Sequence, residues 1–142
     1  MTKLRILIKT TLVGPTIRDG KYVALVEYVG KSGPVTRTIF GSEEQTTYHR
    51  SVLLAMVKAL AILTKPCEVE ILTDCIFVAN MVKNNNPDKW RRAEWKRPSG
   101  DDVANKELWK EFMDEMDRHE IAVSFCNHHD YSSFLSDFLQ KS

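Results

Sequence analysis

Glu68-Val69-Glu70-Ile71-Leu72-Thr73-Asp74-Cys75 is the stretch whose reading decides the fold. It alternates polar and apolar residues, turns apolar, and ends in an aspartate at the mouth of a turn, as a buried strand of an α/β sheet does. Sheets of this class gather their chemistry at the carboxyl ends of their strands. Asp74 is therefore the first candidate site residue, and the rest of the chain decides whether it has the companions a reaction needs.

Working outward, Lys65-Pro66 closes the segment before this strand, an expected helix over residues 48–63 that is apolar nearly all round and so buried on most sides. A polar cap region, Glu43 to Thr47, precedes it. Further upstream, residues 3–10, 21–29 and 35–40 read as three strands separated by Val13-Gly14-Pro15, Arg18-Asp19-Gly20 and Lys31-Ser32-Gly33-Pro34, so they form an antiparallel meander. Downstream, a short helix over 76–83 is broken by Asn84-Asn85-Asn86-Pro87-Asp88. A basic stretch from Lys89 to Arg97 follows, then a helix over 103–119, a strand over 121–126, the polar loop Asn127-His128-His129-Asp130 and a last helix over 132–140. The expected order is β-β-β-α-β-α-α-β-α. It implies an α/β fold with a mixed five-stranded sheet, three antiparallel strands first and parallel ones added by crossovers, in one domain over 1–142.

The net charge of +1 says nothing about partners, but the charge is polarised along the chain. Six basic residues lie between Lys83 and Arg97, and eight acids between Asp101 and Glu120. Three cysteines with no Cys-x-x-Cys pair fit reduced thiols and a cytoplasmic setting. No signal peptide and no membrane span is read. Cys126, His128 and His129 lack the spacing of a zinc site.

These motifs, in this order, resemble type 1 ribonuclease H over essentially the whole chain. The resemblance rests on Thr46-Thr47 with Arg50, on Thr73-Asp74, on Trp90-Arg91-Arg92-Ala93-Glu94-Trp95-Lys96 followed by Val103-Ala104-Asn105-Lys106-Glu107-Leu108-Trp109, and on Asn127-His128. It implies the ribonuclease H-like fold, with a basic protrusion that grips nucleic acid through Trp90, Arg91, Arg92, Trp95, Lys96 and Arg97, helped by Thr47, Arg50 and Asn105. The implied partner is an RNA–DNA hybrid or a related duplex. Phosphate contacts of this kind depend on salt, and helix N-termini favour phosphate.

The family cleaves the RNA strand with four carboxylates that hold two magnesium ions. Here the first position falls on Lys9 and the second on Val52, while Asp74 keeps the third. The fourth falls on Asp137, and His128 matches the family's mobile histidine. The family's glycine-rich turn after the first strand is mostly absent, and Tyr48-His49 stands where the family reads the minor groove. Two carboxylates and one ammonium do not balance two hard dications. The expectation is therefore no resident metal and a degenerate site, with Lys9 bonding Asp74 and Asp137 in the metals' place; Lys9 could instead point to solvent. Two alternatives stay open. One is an active nuclease using Mg2+ or Mn2+, its site rebuilt with Asp19, Glu43 or Glu44; the other is a protein-interaction module docking through the acidic helix.

Overall fold

A computed structural model describes residues Met1 to Ser142. Five strands, β1 (Thr2–Thr10), β2 (Arg18–Gly30), β3 (Gly33–Thr46), β4 (Cys67–Thr73) and β5 (Glu120–Phe125), form one sheet in the order β3-β2-β1-β4-β5. β1 pairs antiparallel with β2 and β2 with β3, whereas β4 runs parallel to β1 and to β5. The helices are α1 (Tyr48–Leu60), α2 (Ile76–Lys83), α3 (Asn86–Arg92), α4 (Lys106–Arg118) and α5 (Ser132–Lys141). The mixed five-stranded sheet expected from the sequence is present.

Strand alternation divides the core in two. Ile6, Ile8, Ala24, Val26, Val69 and Ile71 pack against α1 and α4, through Val52, Met56, Leu60, Trp109 and Phe112 among others. Leu7, Val23 and Leu25, one residue out of phase, pack against Leu135 and Leu139 of α5. Helix α1 is buried on most sides as its composition requires, because it lies between the sheet and α4.

The structure corrects several boundaries. The third strand runs on to Thr46 through residues read as a polar cap region. Its pairing shifts from Gly20↔Glu43 to Arg18↔Thr46, so three steps on β3 oppose two on β2. This bulge is held by Gln45, which takes a positive φ of 51° and donates its backbone N–H to Asp19 Oδ1 at 3.0 Å. Helix α1 ends at Leu60, and residues 61–63 form a tighter turn in which Ile62 and Leu63 N–H reach the carbonyls of Ala59 and Leu60. The basic stretch contains an unexpected helix, α3. Pro87, read as a breaker, stands in its first turn, where its missing N–H costs nothing. The acidic helix starts at Lys106 rather than at 103, after Asn105 adopts a left-handed φ of 59°.

Candidate active site

The carboxyl ends of β1 and β4 lie side by side and bring Lys9 to Asp74. Lys9 Nζ donates to Asp74 Oδ2 at 2.9 Å, with 36% of the Lys9 and 26% of the Asp74 side chain exposed. The other carboxylate oxygen is also taken, since Tyr48 Oη donates to Asp74 Oδ1 at 3.0 Å. Tyr48 opens α1, directly after Thr47. The Thr47 hydroxyl caps that helix by accepting from the Arg50 N–H at 3.3 Å. Burial, together with the Asp74 charge, holds the Tyr48 phenol well above the ordinary tyrosine range, so it stays a donor. The turn after β4 is closed by the Cys75 N–H on Thr73 Oγ1 at 3.1 Å.

Beside this group lies a polar cavity of about 370 Å³, lined in part by Lys9, Asp74, Cys126, His128 and Asp137. Asp137 stands on the exposed face of α5 and makes no hydrogen bond. The expectation that Lys9 bonds both carboxylates is thus corrected: it bonds Asp74, and one ammonium at 2.9 Å from Asp74 leaves Asp137 to water. His128 is exposed on the same wall, and only its carbonyl is engaged, by Cys126 Sγ at 3.2 Å. Val52 is 1% exposed and packs in the core. No three His, Cys, Asp or Glu side chains converge as metal ligands would.

The carboxylates that could have rebuilt the site are elsewhere. Asp19 holds the bulge, Glu43 accepts from Arg50 Nε at 2.9 Å, and Glu44 is exposed; these three line a different cavity. Arg50 is spread across Glu43, Glu107 and, at 3.5 Å, Asn105 Oδ1, so it ties α1 to α4. The Glu107 contact leads the causes that raise its pKa. Arg50 and Asn105 therefore clasp two helices rather than present free donors, and Asn105 occupies the cap position without a side-chain capping bond.

In the protrusion, too, most of the expected binding side chains have partners within the chain. Trp95 is 7% exposed and its ring packs in the core, while its backbone N–H donates to the Trp90 carbonyl at 2.7 Å and its carbonyl takes the Val103 N–H at 3.0 Å, so it anchors the loop. Trp90 packs edge-on to Trp109, with ring centroids 5.5 Å apart. Arg91 pairs with Asp117 at 3.0 Å, Arg92 with Asp88, and Lys96 with Asp102 at 2.6 Å. The charge polarisation seen along the chain cancels where α3 and its loop fold against α4. Lys83, Lys89 and Arg97 remain as exposed cations of the stretch with no ion pair.

The bond from Tyr48 to Asp74 is the part of the site the sequence did not point to, since in the sequence Tyr48 only stands where the family reads the minor groove. A tyrosine directly after a capping threonine is a weak signal, and only the meeting of α1 with the end of β4 gives it a partner.

The RNase H family model matches residues 16–134. A ribonuclease H of Stutzerimonas stutzeri (strain A1501) is 34% identical over 110 residues, covering 78% of this chain and 70% of that protein. Among solved structures, LC9-RNase H1, a type 1 RNase H with the type 2 active-site motif, superposes with a TM-score of 0.80 at 20% identity, over 99% of this chain and 71% of that one. The foamy viral protease-reverse transcriptase in complex with RNA/DNA hybrid shares the fold over 99% of this chain and 19% of its own, with a TM-score of 0.71 at 12% identity.

Proposed function

Because the chain belongs to the RNase H family, we propose that it binds an RNA–DNA hybrid or a related duplex without the family's two-metal cleavage. The observation that carries this reading is the occupation of both Asp74 oxygens, one by Lys9 Nζ at 2.9 Å and the other by Tyr48 Oη at 3.0 Å. Hard dications take oxygen ligands with free lone pairs and negative charge. The ammonium of Lys9 supplies the opposite charge at the first carboxylate position, and buried Val52 supplies no lone pair at the second. Asp137 alone cannot hold two ions. The residues present therefore do not fit a two-magnesium centre, and no catalytic step is assigned to His128.

What favours binding is family membership and the cations left unpaired near the protrusion, Lys83, Lys89 and Arg97. No helix is long and apolar enough to cross a membrane. The acidic face of α4 spends Asp117 on Arg91 and Glu107 on Arg50, which weakens the reading of that helix as a docking face for a protein partner.

The test pairs two assays on one hybrid duplex. Cleavage is followed with Mg2+ and with Mn2+, and binding is followed as salt is raised. Binding that weakens with salt, without cleavage in either metal, is the expected result. Cleavage at a rate comparable to the bacterial enzymes would overturn the loss of chemistry, and absence of binding at low salt would overturn the nucleic-acid reading.

A further inference from the structure

The edge of the sheet at β3 is long, regular and uncovered. β3 pairs with β2 and with no other strand, and its register is unbroken from Gly33 to Glu43. Most edge strands carry a lysine, a proline or a bulge that discourages pairing. Val35 to Glu43 contains no lysine and no proline, and the bulge lies beyond it, at Gln45. Val35 is 62% exposed and Phe40 56% exposed.

The direction of the free backbone groups follows from the ladder. Thr11 N–H donates to the Lys21 carbonyl at 2.9 Å, so odd-numbered residues of β2 face β1 and even-numbered ones face β3. With the pairing Tyr22↔Gly41 and Ala24↔Ile39, the odd-numbered residues of β3 exchange bonds with β2. Thr36, Thr38, Phe40 and Ser42 therefore turn both N–H and C=O outward.

We propose that this edge pairs antiparallel with the β3 edge of a second copy, about a two-fold axis at Phe40. In that register Phe40 meets Phe40 of the other copy and Thr38 meets Ser42, all through outward-facing groups. Arg37 then stands directly opposite Glu43, twice over by symmetry, and directly opposed residues share a face. Arg37 makes no ion pair within its own chain, and Glu43, paired with Arg50 at 2.9 Å, keeps 29% of its side chain exposed. The two Phe40 rings meet on the α5 side, where each already packs against Phe138 at 5.5 Å. The occupant is a second copy because the charges match in this one self-complementary register.

Sedimentation equilibrium on the whole chain, taken to several hundred micromolar, tests this. The expected mass is twice 16.3 kDa. Thr38→Pro removes an outward N–H while leaving the β2 ladder intact, and should give monomer with an unchanged circular dichroism spectrum. Arg37→Glu sets two like-charge pairs face to face and should weaken the dimer by roughly tenfold or more. Glu43→Lys should do the same. Mixing Arg37→Glu with Glu43→Lys restores opposite charges at both pairs, so the mixture should dimerise where neither variant does alone. A wild-type chain that stays monomeric, or a dimer indifferent to Thr38→Pro and to both charge changes, would overturn the proposal.

Discussion

Placing carboxylates at the two positions proposed to match the family's acids, with Lys9→Asp and Val52→Glu, should make the stability of the fold depend on magnesium. The present group of Lys9, Asp74 and Asp137 carries a net charge of −1; the double variant would carry −4, the balance for two divalent ions. Without metal the variant is strained. Val52 is 1% exposed, and an unpaired carboxylate there costs about 3–5 kcal/mol, unless it reorients toward the cavity. Losing the partly exposed Lys9–Asp74 pair adds at most about 1 kcal/mol after solvent screening. At about 3 °C per kcal/mol for a chain of this size, Tm should fall by roughly 10–15 °C. Magnesium at about one hundred times its Kd returns about 2.7 kcal/mol, or roughly 8 °C. The assay is thermal unfolding with MgCl2 against NaCl of equal ionic strength, on wild type and variant together. A flat wild type and a variant rescued by magnesium is the expected pair. If the folded variant gains nothing from magnesium, positions 9 and 52 do not stand where the family's acids do. If the wild type gains as much as the variant, the Lys9–Tyr48 cage does not exclude the ions.

Three further outcomes follow from separate parts of the molecule. Since Arg91, Arg92 and Lys96 are already paired, hybrid binding should show a log–log salt slope of only about −3, set by Lys83, Lys89 and Arg97; a slope twice as steep would mean the ion pairs open on binding. Glu27, buried, accepts from Arg5 Nε at 2.8 Å, and this bond leads the causes that lower its pKa. Its contribution is complete above the unfolded value of about 4.3 and is lost as pH falls through the folded value, so Glu27→Gln should flatten the loss of Tm below about pH 5 relative to wild type. His119→Ala strands the Cys67 N–H that now donates to His119 Nδ1 at 3.0 Å and empties a buried site. Urea unfolding should show a loss of about 2–4 kcal/mol, and a loss below about 1 would mean that water replaces the ring.

The strand order was legible because each strand carries its own period and each turn its own glycine or proline. The strand read over Glu68 to Asp74 was found for that reason, one residue displaced, at Cys67–Thr73. Helix α3 was not legible, since Pro87 stops a helix when it falls inside one and starts a helix when it falls at the first turn, and sequence alone does not choose. The long third strand was hidden by Glu43-Glu44-Gln45, whose polarity reads as a cap; its strand geometry depends on Asp19, some two dozen residues away. In the site, the Lys9–Asp74 approach could be anticipated from two strand ends that must be neighbours. Tyr48 could not, because its partner is set by the packing of α1 across the sheet. The charge of the protrusion misled for a related reason: its neutralising acids, Asp102 and Asp117, come from the next segment.

The hydroxyl of Tyr48 also couples the effects of substitutions around Asp74. In the present background Tyr48→Phe removes a bond to Asp74 and offers nothing in return. Beside restored acids at 9 and 52 the same change would clear Oδ1 for an ion and raise its affinity. The sign of one substitution thus depends on two others, so positions 9, 48 and 52 have to be changed together before an ion gains a clear approach to Asp74.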